Sequence, residues 1–342
     1  MSIPFDAHRP SHGGDLTYAA ARYGTPPGGW LDLSTGINPA VYPAPVVDAA
    51  NFAALPGRSA HNALIEAART AYDIPESVPL IATPGTEIAL RLLPLVAPAG
   101  SAVIVGPTYE SHRHSWSATD RSVVEIATLA DIPDNAAIVV VANPNNPDGR
   151  SVARAELADL AGGLSRKSGI LIVDEAFADL DPDLSLAPLL DTVQAIVLRS
   201  FGKFYGLAGL RLGFLAGHAP IVGRVGDLLG AWPVSSAALT IGRAALADRN
   251  WQQEARLAIA GKAHRLRELL DQHGVPIAGS TDLFFLVQHR DAFDIHTRLA
   301  EVGIWTRHFA YRRDWLRFGL PADEAAFARL DGALATAMRG FK

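Results

Sequence analysis

The 342-residue sequence has no cysteine. That absence excludes disulfide staples, thiolate metal sites and a cysteine nucleophile together. No apolar run approaches about 18 residues, the length a bilayer-spanning helix needs. Met1 to Pro10 holds no apolar core of a secretion signal either. There is no block of lysine or arginine, and a net charge of −5 leaves no electrostatic footprint for nucleic acid. Histidine is present 11 times, but His112 and His114 stand one residue apart and no helical stretch carries a His-x-x-x-His pair (His8 and His12 have Pro10 between them), so no metal site is expected. The expectation is a cytoplasmic protein that meets neither membrane nor nucleic acid.

Hydrophobic residues make up 49% of the chain and charged residues 19%, the balance of a folded protein with a large core. The length suits about two domains. From about residue 60 to 217, helical and strand patterns alternate. Residues Thr86 to Ala97 place Ile88, Leu92, Leu93 and Val96 at helical spacing. Short apolar runs follow at Ala102–Val105, Ile138–Ala142, Ile170–Val173, Ile196–Leu198 and Leu212–Leu215. Such runs between helices predict an α/β fold, a mostly parallel sheet with helices on both faces. Beyond about residue 230 the pattern changes. A long amphipathic helix is predicted over Ala237–Gly274, strands over Leu283–Val287, Gly303–Thr306 and Trp315–Phe318, and a closing helix over Glu324–Met338. The expected organisation is a large α/β domain over 46–230, with 1–45 and 231–342 forming a smaller α+β domain.

Ligands of parallel sheets bind beyond the carboxyl ends of the strands, where the polar clusters of this chain fall. One glycine-rich turn places Lys203 three residues after Ser200 and eight before Arg211. A lysine delivered by a buried strand can be partly desolvated, which lowers its pKa and makes the amine nucleophilic. Ser200 and Arg211 can hold a phosphate by hydroxyl donation and a bidentate contact. Phosphate beside a Schiff-base-forming amine suggests pyridoxal phosphate (PLP). A basic strand–turn–strand at the surface is the plain alternative. Gly85, Thr86 and Glu87 open a helix whose free N–H groups suit a phosphate, or form an ordinary helix start. Asp174, at the end of a buried run, needs a partner: a protonated pyridine nitrogen or a structural cation. Tyr109 can stack on a flat ring or belong to the core. Asn146 can donate to a phenolic oxygen or serve turn geometry.

In their order along the chain, Gly85-Thr86-Glu87, Tyr109, Asn146, Asp174, Ser200-x-x-Lys203 and Arg211 resemble the motifs of fold-type I PLP enzymes. The chain resembles the class I/II aminotransferase family over nearly its whole length, especially the histidinol-phosphate aminotransferase branch. The resemblance implies that Lys203 forms the Schiff base and shuttles protons, that Asp174 bonds the pyridine nitrogen, and that Asn146 contacts the ring oxygen. Gly85, Thr86, Ser200 and Arg211 match the phosphate cup, with Glu87 beside them, and Tyr109 the stacking aromatic. Arg317 matches the arginine that grips the substrate carboxylate. A homodimer is implied, because this family builds its sites between subunits.

Two positions depart from the family pattern. Phe177 stands where the aminotransferases usually carry tyrosine, and Leu55-Pro56 where many have Tyr-Pro. The chain ends resemble one group in particular, the L-threonine-O-3-phosphate decarboxylases of cobalamin synthesis. The similarity rests on His12-Gly13-Gly14-Asp15, on Leu31 to Pro39, and on Thr306-Arg307 through Trp315 to Pro321. That group tends to carry phenylalanine at the position of Phe177. The resemblance implies a phosphorylated amino acid as substrate, with His12, Gly36 and Arg307 at its phosphate, Arg317 at its carboxylate and Asn146 nearby. A histidinol-phosphate-type aminotransferase is the alternative enzyme, and a non-catalytic PLP-fold binding protein the alternative of another class.

Overall fold

The computed structural model describes residues 12–340. They divide into two compact units, Val41–Glu254 and residues 12–40 with 255–340. A short strand β1 (Leu31–Asp32) precedes the seven strands of the larger unit. These are β2 (Leu80–Thr83), β3 (Ala102–Val105), β4 (Val123–Ile126), β5 (Ile138–Ala142), β6 (Ile170–Asp174), β7 (Ala195–Ser200) and β8 (Gly213–Gly217). They form one sheet in the order β2-β8-β7-β6-β5-β3-β4. Neighbours from β7 to β4 pair in parallel, while β8 runs antiparallel to both β2 and β7. Every residue of β3, β5, β6 and β8 is buried, which is why these strands read as unbroken apolar runs without alternation. β2 and β4 are mixed in exposure and were not legible as strands in the sequence.

The helix Thr86–Val96 supplies Leu90 and Leu93, and the helix Ala219–Leu229 supplies Val222 and Val225, to a core shared with Ile138, Ile172 and Ile196. Hydrophobic burial of this kind gains about 25 cal/mol per Å² and is the main force on the sheet. The helical stretch expected over 237–274 is two helices, Ser236–Ala247 and Arg249–Gln272. Asp248 breaks it: its Oδ1 accepts from Trp251 N at 3.0 Å, so the residue ends one helix and caps the next. The first of the two packs on the helix Arg58–Ala71 and so belongs to the larger unit, which extends to Glu254, whereas the change of pattern in the sequence places the boundary near 230. Gly242 permits the contact, since a Cβ there would lie 2.9 Å from Leu64 Cδ1 and 2.5 Å from Leu212 Cδ2.

In the smaller unit, β9 (Ile277–Thr281), β10 (Phe284–Gln288), β12 (Arg307–Phe309) and β13 (Arg312–Gly319) form an antiparallel sheet, while β11 (Ile304–Trp305) pairs in parallel with β1. Asp15 caps the helix Leu16–Tyr23 by accepting from Tyr18 N at 3.0 Å. That helix presents Tyr18 and Tyr23 to the Trp305 ring, at 6.2 and 6.1 Å. Among the described residues, no helix is long and apolar enough to cross a membrane.

His296, on the helix Ala292–Glu301, is 1% exposed. Its Nδ1 lies 2.8 Å from Thr306 Oγ1, and its Nε2 has no hydrogen-bond partner among the described residues. Burial, followed by the nearby charge of His308, Arg22 and Arg307, holds its pKa well below the usual histidine range. A group that stays neutral when folded and gains a proton when unfolded contributes stability above its unfolded pKa and loses it as pH falls through that value. Wild type should therefore lose about 1 kcal/mol between pH 7.5 and 5.5 relative to His296→Gln, which does not titrate there. Urea unfolding of both proteins at the two pH values measures the difference, and parallel pH dependences would contradict it.

Candidate active site

Nine of the residues singled out in the sequence line one pocket of the larger unit: Gly85, Thr86, Glu87, Tyr109, Asn146, Asp174, Ser200, Lys203 and Arg211. The space within it, part of which is open to solvent, is about 760 Å³. The residues converge because β5, β6 and β7 are adjacent and parallel, so the segments following them leave the sheet at the same end. Asp174 is the last residue of β6, and Ser200 the last of β7. A short helix, Phe201–Phe204, then turns Lys203 into the pocket while burying Phe201, Phe204 and Tyr205 on its other side.

At one end of the pocket the helix Thr86–Val96 begins without a side-chain cap, leaving its first N–H groups available. Gly85 precedes it with φ +80°, and a Cβ there would lie 2.7 Å from Arg211 Nη2. Gly213 is equally constrained: its Cβ would lie 2.7 Å from Thr86 N. Side chains at either glycine would fill the space where a guanidinium meets a helix N-terminus. Arg211 itself is held in the left-handed region, φ 53°, and its Nη1 donates to Ala208 O at 3.2 Å. Positive charge, N–H dipoles and the Thr86 and Ser200 hydroxyls make this cradle fit a phosphate ester.

Asp174 is 6% exposed, and its Oδ2 lies 3.0 Å from His112 Nε2. Its Oδ1 accepts from Ala176 N at 3.2 Å. The His112 tautomer with hydrogen on Nε2 donates to this carboxylate, and its Nδ1 has no partner among the described residues. The sequence points to His112 only as a metal-ligand candidate without a matching pair; its place three residues after Tyr109, on the same helical face, is the signal that links it to the pocket. Two protein donors and a buried setting leave a carboxylate able to pair with a cationic ring nitrogen, so the pocket fits PLP at both its phosphate and its pyridine ends. Tyr109 Oη donates to Glu87 Oε2 at 3.2 Å, and burial is the main cause that pushes its phenol up to about 12. Glu87 also pairs with Arg91 at 3.1 Å.

Asn145 and Asn146 are neighbours with different surroundings. Asn145 is 0% exposed, accepts from Thr108 Oγ1 at 2.6 Å and donates to Asp148 Oδ1 at 2.7 Å, so it ties loops together. Asn146 lines the pocket. Phe177 is buried there too, and Lys203 Nζ is 6.0 Å from its ring centroid. Among the described residues, no group of three or more histidine or acidic side chains could hold a metal ion.

The remaining candidates belong to the smaller unit. Arg317 is 6% exposed, donates from Nη2 to Ser34 O at 2.9 Å and sits opposite Arg307 in the β12–β13 register. Burial, then the Arg307 charge, pushes Arg317 down to about 9, which still leaves it cationic at neutral pH. Ser34 Oγ accepts from Gly14 N at 2.7 Å, and a Cβ on Gly13 would meet Ser34 O at 2.3 Å. The His12–Gly14 segment thus lies against the loop that carries Ser34 and the buried Gly36, the loop to which Arg317 also donates.

A family model described as aminotransferase class I and II matches residues 48–330 of this chain. A threonine-phosphate decarboxylase from Sinorhizobium sp is 43% identical over 95% of this chain and 97% of its own length. One from Pseudomonas aeruginosa is 40% identical over 94% and 96%. Among solved structures, histidinol-phosphate aminotransferase from Sinorhizobium meliloti in complex with pyridoxal-5′-phosphate has a TM-score of 0.80 at 22% identity, with 95% of each chain covered.

Gly85→Ala should displace the Arg211 guanidinium and strain the backbone by about 1–3 kcal/mol. Affinity for pyridoxal 5′-phosphate, read by equilibrium dialysis, is expected to fall about tenfold or more. Unchanged affinity would remove the cradle as the phosphate site.

Proposed function

Because this chain belongs to the aminotransferase class I and II family, we propose that it is a PLP-dependent threonine-phosphate decarboxylase. It converts L-threonine O-3-phosphate to (R)-1-aminopropan-2-yl phosphate and CO2. We place this activity in cobalamin biosynthesis, in the cytoplasm and in a homodimer. The observation that carries the reading is the 43% identity to a threonine-phosphate decarboxylase over 95% of the chain, an extent reaching beyond the 48–330 family match into the terminal segments. Likeness of fold to a histidinol-phosphate aminotransferase, at 22% identity, does not separate the two chemistries.

When bound, PLP supplies an electron sink for the pair released as a bond to Cα breaks. The roles of the residues follow from their chemistry. Lys203 provides the amine that holds the cofactor covalently and afterwards returns a proton to Cα. Asp174, oriented by His112 and Ala176 N, keeps the ring nitrogen protonated. Arg211, Ser200, Thr86 and the helix start bind the cofactor phosphate, Tyr109 covers the ring face, and Asn146 serves its phenolic oxygen. Phe177 offers that oxygen no donor. Arg317 binds the substrate carboxylate, and His12, Gly36 and Arg307 its phosphate. Holding the carboxylate and the phosphate separately would orient the substrate, and decarboxylation requires the bond from Cα to the carboxylate to be the one that breaks. The dimer reading is supported by large apolar side chains of the larger unit in solvent: Val46 at 95%, Leu55 at 69%, Phe52 at 66% and Trp232 at 58% exposure.

Incubation with threonine phosphate and no 2-oxo acid should release CO2 over many turnovers. One equivalent of pyridoxamine phosphate in place of CO2 would make the protein an aminotransferase. Lys203→Ala should lower kcat by at least about 10³-fold, and borohydride trapping followed by peptide mapping should mark residue 203; label on another lysine would refute its role. Arg317→Ala should raise KM for threonine phosphate by about 10- to 100-fold, the loss of a charge-assisted pair, whereas an unchanged KM would move the carboxylate site.

A further inference from the structure

A buried charge cluster joins the two strand ends from which Asp174 and Lys203 emerge. Glu175 is 0% exposed, and Arg199 and Asp179 are each 3% exposed. Arg199 Nη1 donates to Glu175 Oε2 at 3.0 Å, and its Nη2 donates to Asp179 Oδ1 at 2.8 Å. Glu175 also accepts from Ser185 Oγ at 2.5 Å and from Leu186 N at 2.6 Å. Those donors oppose the burial that pushes its carboxyl up. The guanidinium lies 4.3 Å from the centroid of the Tyr72 ring.

Stability does not account for such a cluster. Desolvating three charged groups costs several kcal/mol per ion, and well-packed apolar residues commonly do as well or better. Its geometry does account for it. Glu175 and Asp179 bound a turn that follows β6, and Arg199 is the penultimate residue of β7. One planar guanidinium therefore pins both ends of that turn to the neighbouring strand, which the single point charge of a lysine cannot do. Between the two pinned residues, Ala176 and Phe177 line the pocket, and Ala176 N holds Asp174 Oδ1. Immediately after Arg199 come Ser200 and Lys203, which line it as well. None of the three charged residues is itself part of the lining.

We propose that Arg199, acting through Glu175 and Asp179, is a positioning residue of the cofactor site: it sets the placement of Asp174 and Phe177 relative to Lys203. The inference rests on the reading of the pocket as a PLP site. Asp179→Ala cuts one arm of the clamp away from the pocket, and Asp179→Asn keeps an acceptor in the same place. Visible circular dichroism of bound PLP reports how the ring is held, and equilibrium dialysis gives its Kd. Asp179→Ala is expected to change the visible band and raise Kd about tenfold, with kcat reduced and KM for threonine phosphate nearly unchanged. Asp179→Asn should fall between that variant and wild type. A folded Asp179→Ala, by far-ultraviolet circular dichroism, with wild-type band and Kd overturns the proposal. If that variant does not fold, a wild-type band and Kd in Asp179→Asn overturn it. Failure of the wild type to bind PLP at all would instead overturn the cofactor reading.

Discussion

The parallel pairing of β6 with β7 is the constraint on which the site depends. Asp174 lies opposite Leu198 in that register, and Glu175 N continues the ladder by donating to Leu198 O at 2.9 Å. Both strands are buried over nearly their whole length, so the sheet cannot slip without exposing apolar residues or burying charge. The pairing ends where the chemistry begins. Beyond it, one strand delivers a carboxylate and the other a hydroxyl and an amine.

Charge placed in a dry interior has to be satisfied, and each unit shows how. In the larger unit, the Asp174 carboxylate has His112 and a backbone N–H, while the cradle of Arg211 and the helix start concentrates positive potential at the other end of the pocket. A ligand with a phosphate at one end and a basic ring nitrogen at the other meets both demands at once. In the smaller unit, Arg307 and the buried Arg317 face each other across two strands. Like charges so placed repel, and Tyr311 and Asp32 oppose that effect on Arg317.

The fold is shared by enzymes that break different bonds at the same carbon, and the backbone does not distinguish them. Difference lies in side chains that orient substrate and tune the ring. Phe177 is one: buried against the lysine amine, it contributes a ring face and no hydroxyl. Its placement depends on a turn held at both ends by Arg199, which connects the buried ion cluster to the chemistry.

The unbroken apolar runs of β3, β5, β6 and β7 and the polar residues at their ends were determined by the sequence itself, because a strand covered on both faces has to be apolar until it leaves the sheet. Asp174, Ser200 and Lys203, which leave the ends of β6 and β7 to line the pocket, were legible for the same reason. Tertiary structure alone decided what partners them. β2 and β4, half-covered, carry too little contrast to stand out, and Asp248 interrupts a helix through a cap whose polarity differs little from that of its neighbours. His112 becomes a partner of Asp174 across 62 positions, and Arg199 a clamp on residues 20 and 24 positions away. Such pairs leave no periodic trace in the chain, since a hydrogen bond between distant segments depends on how the sheet brings them together and not on their spacing in sequence.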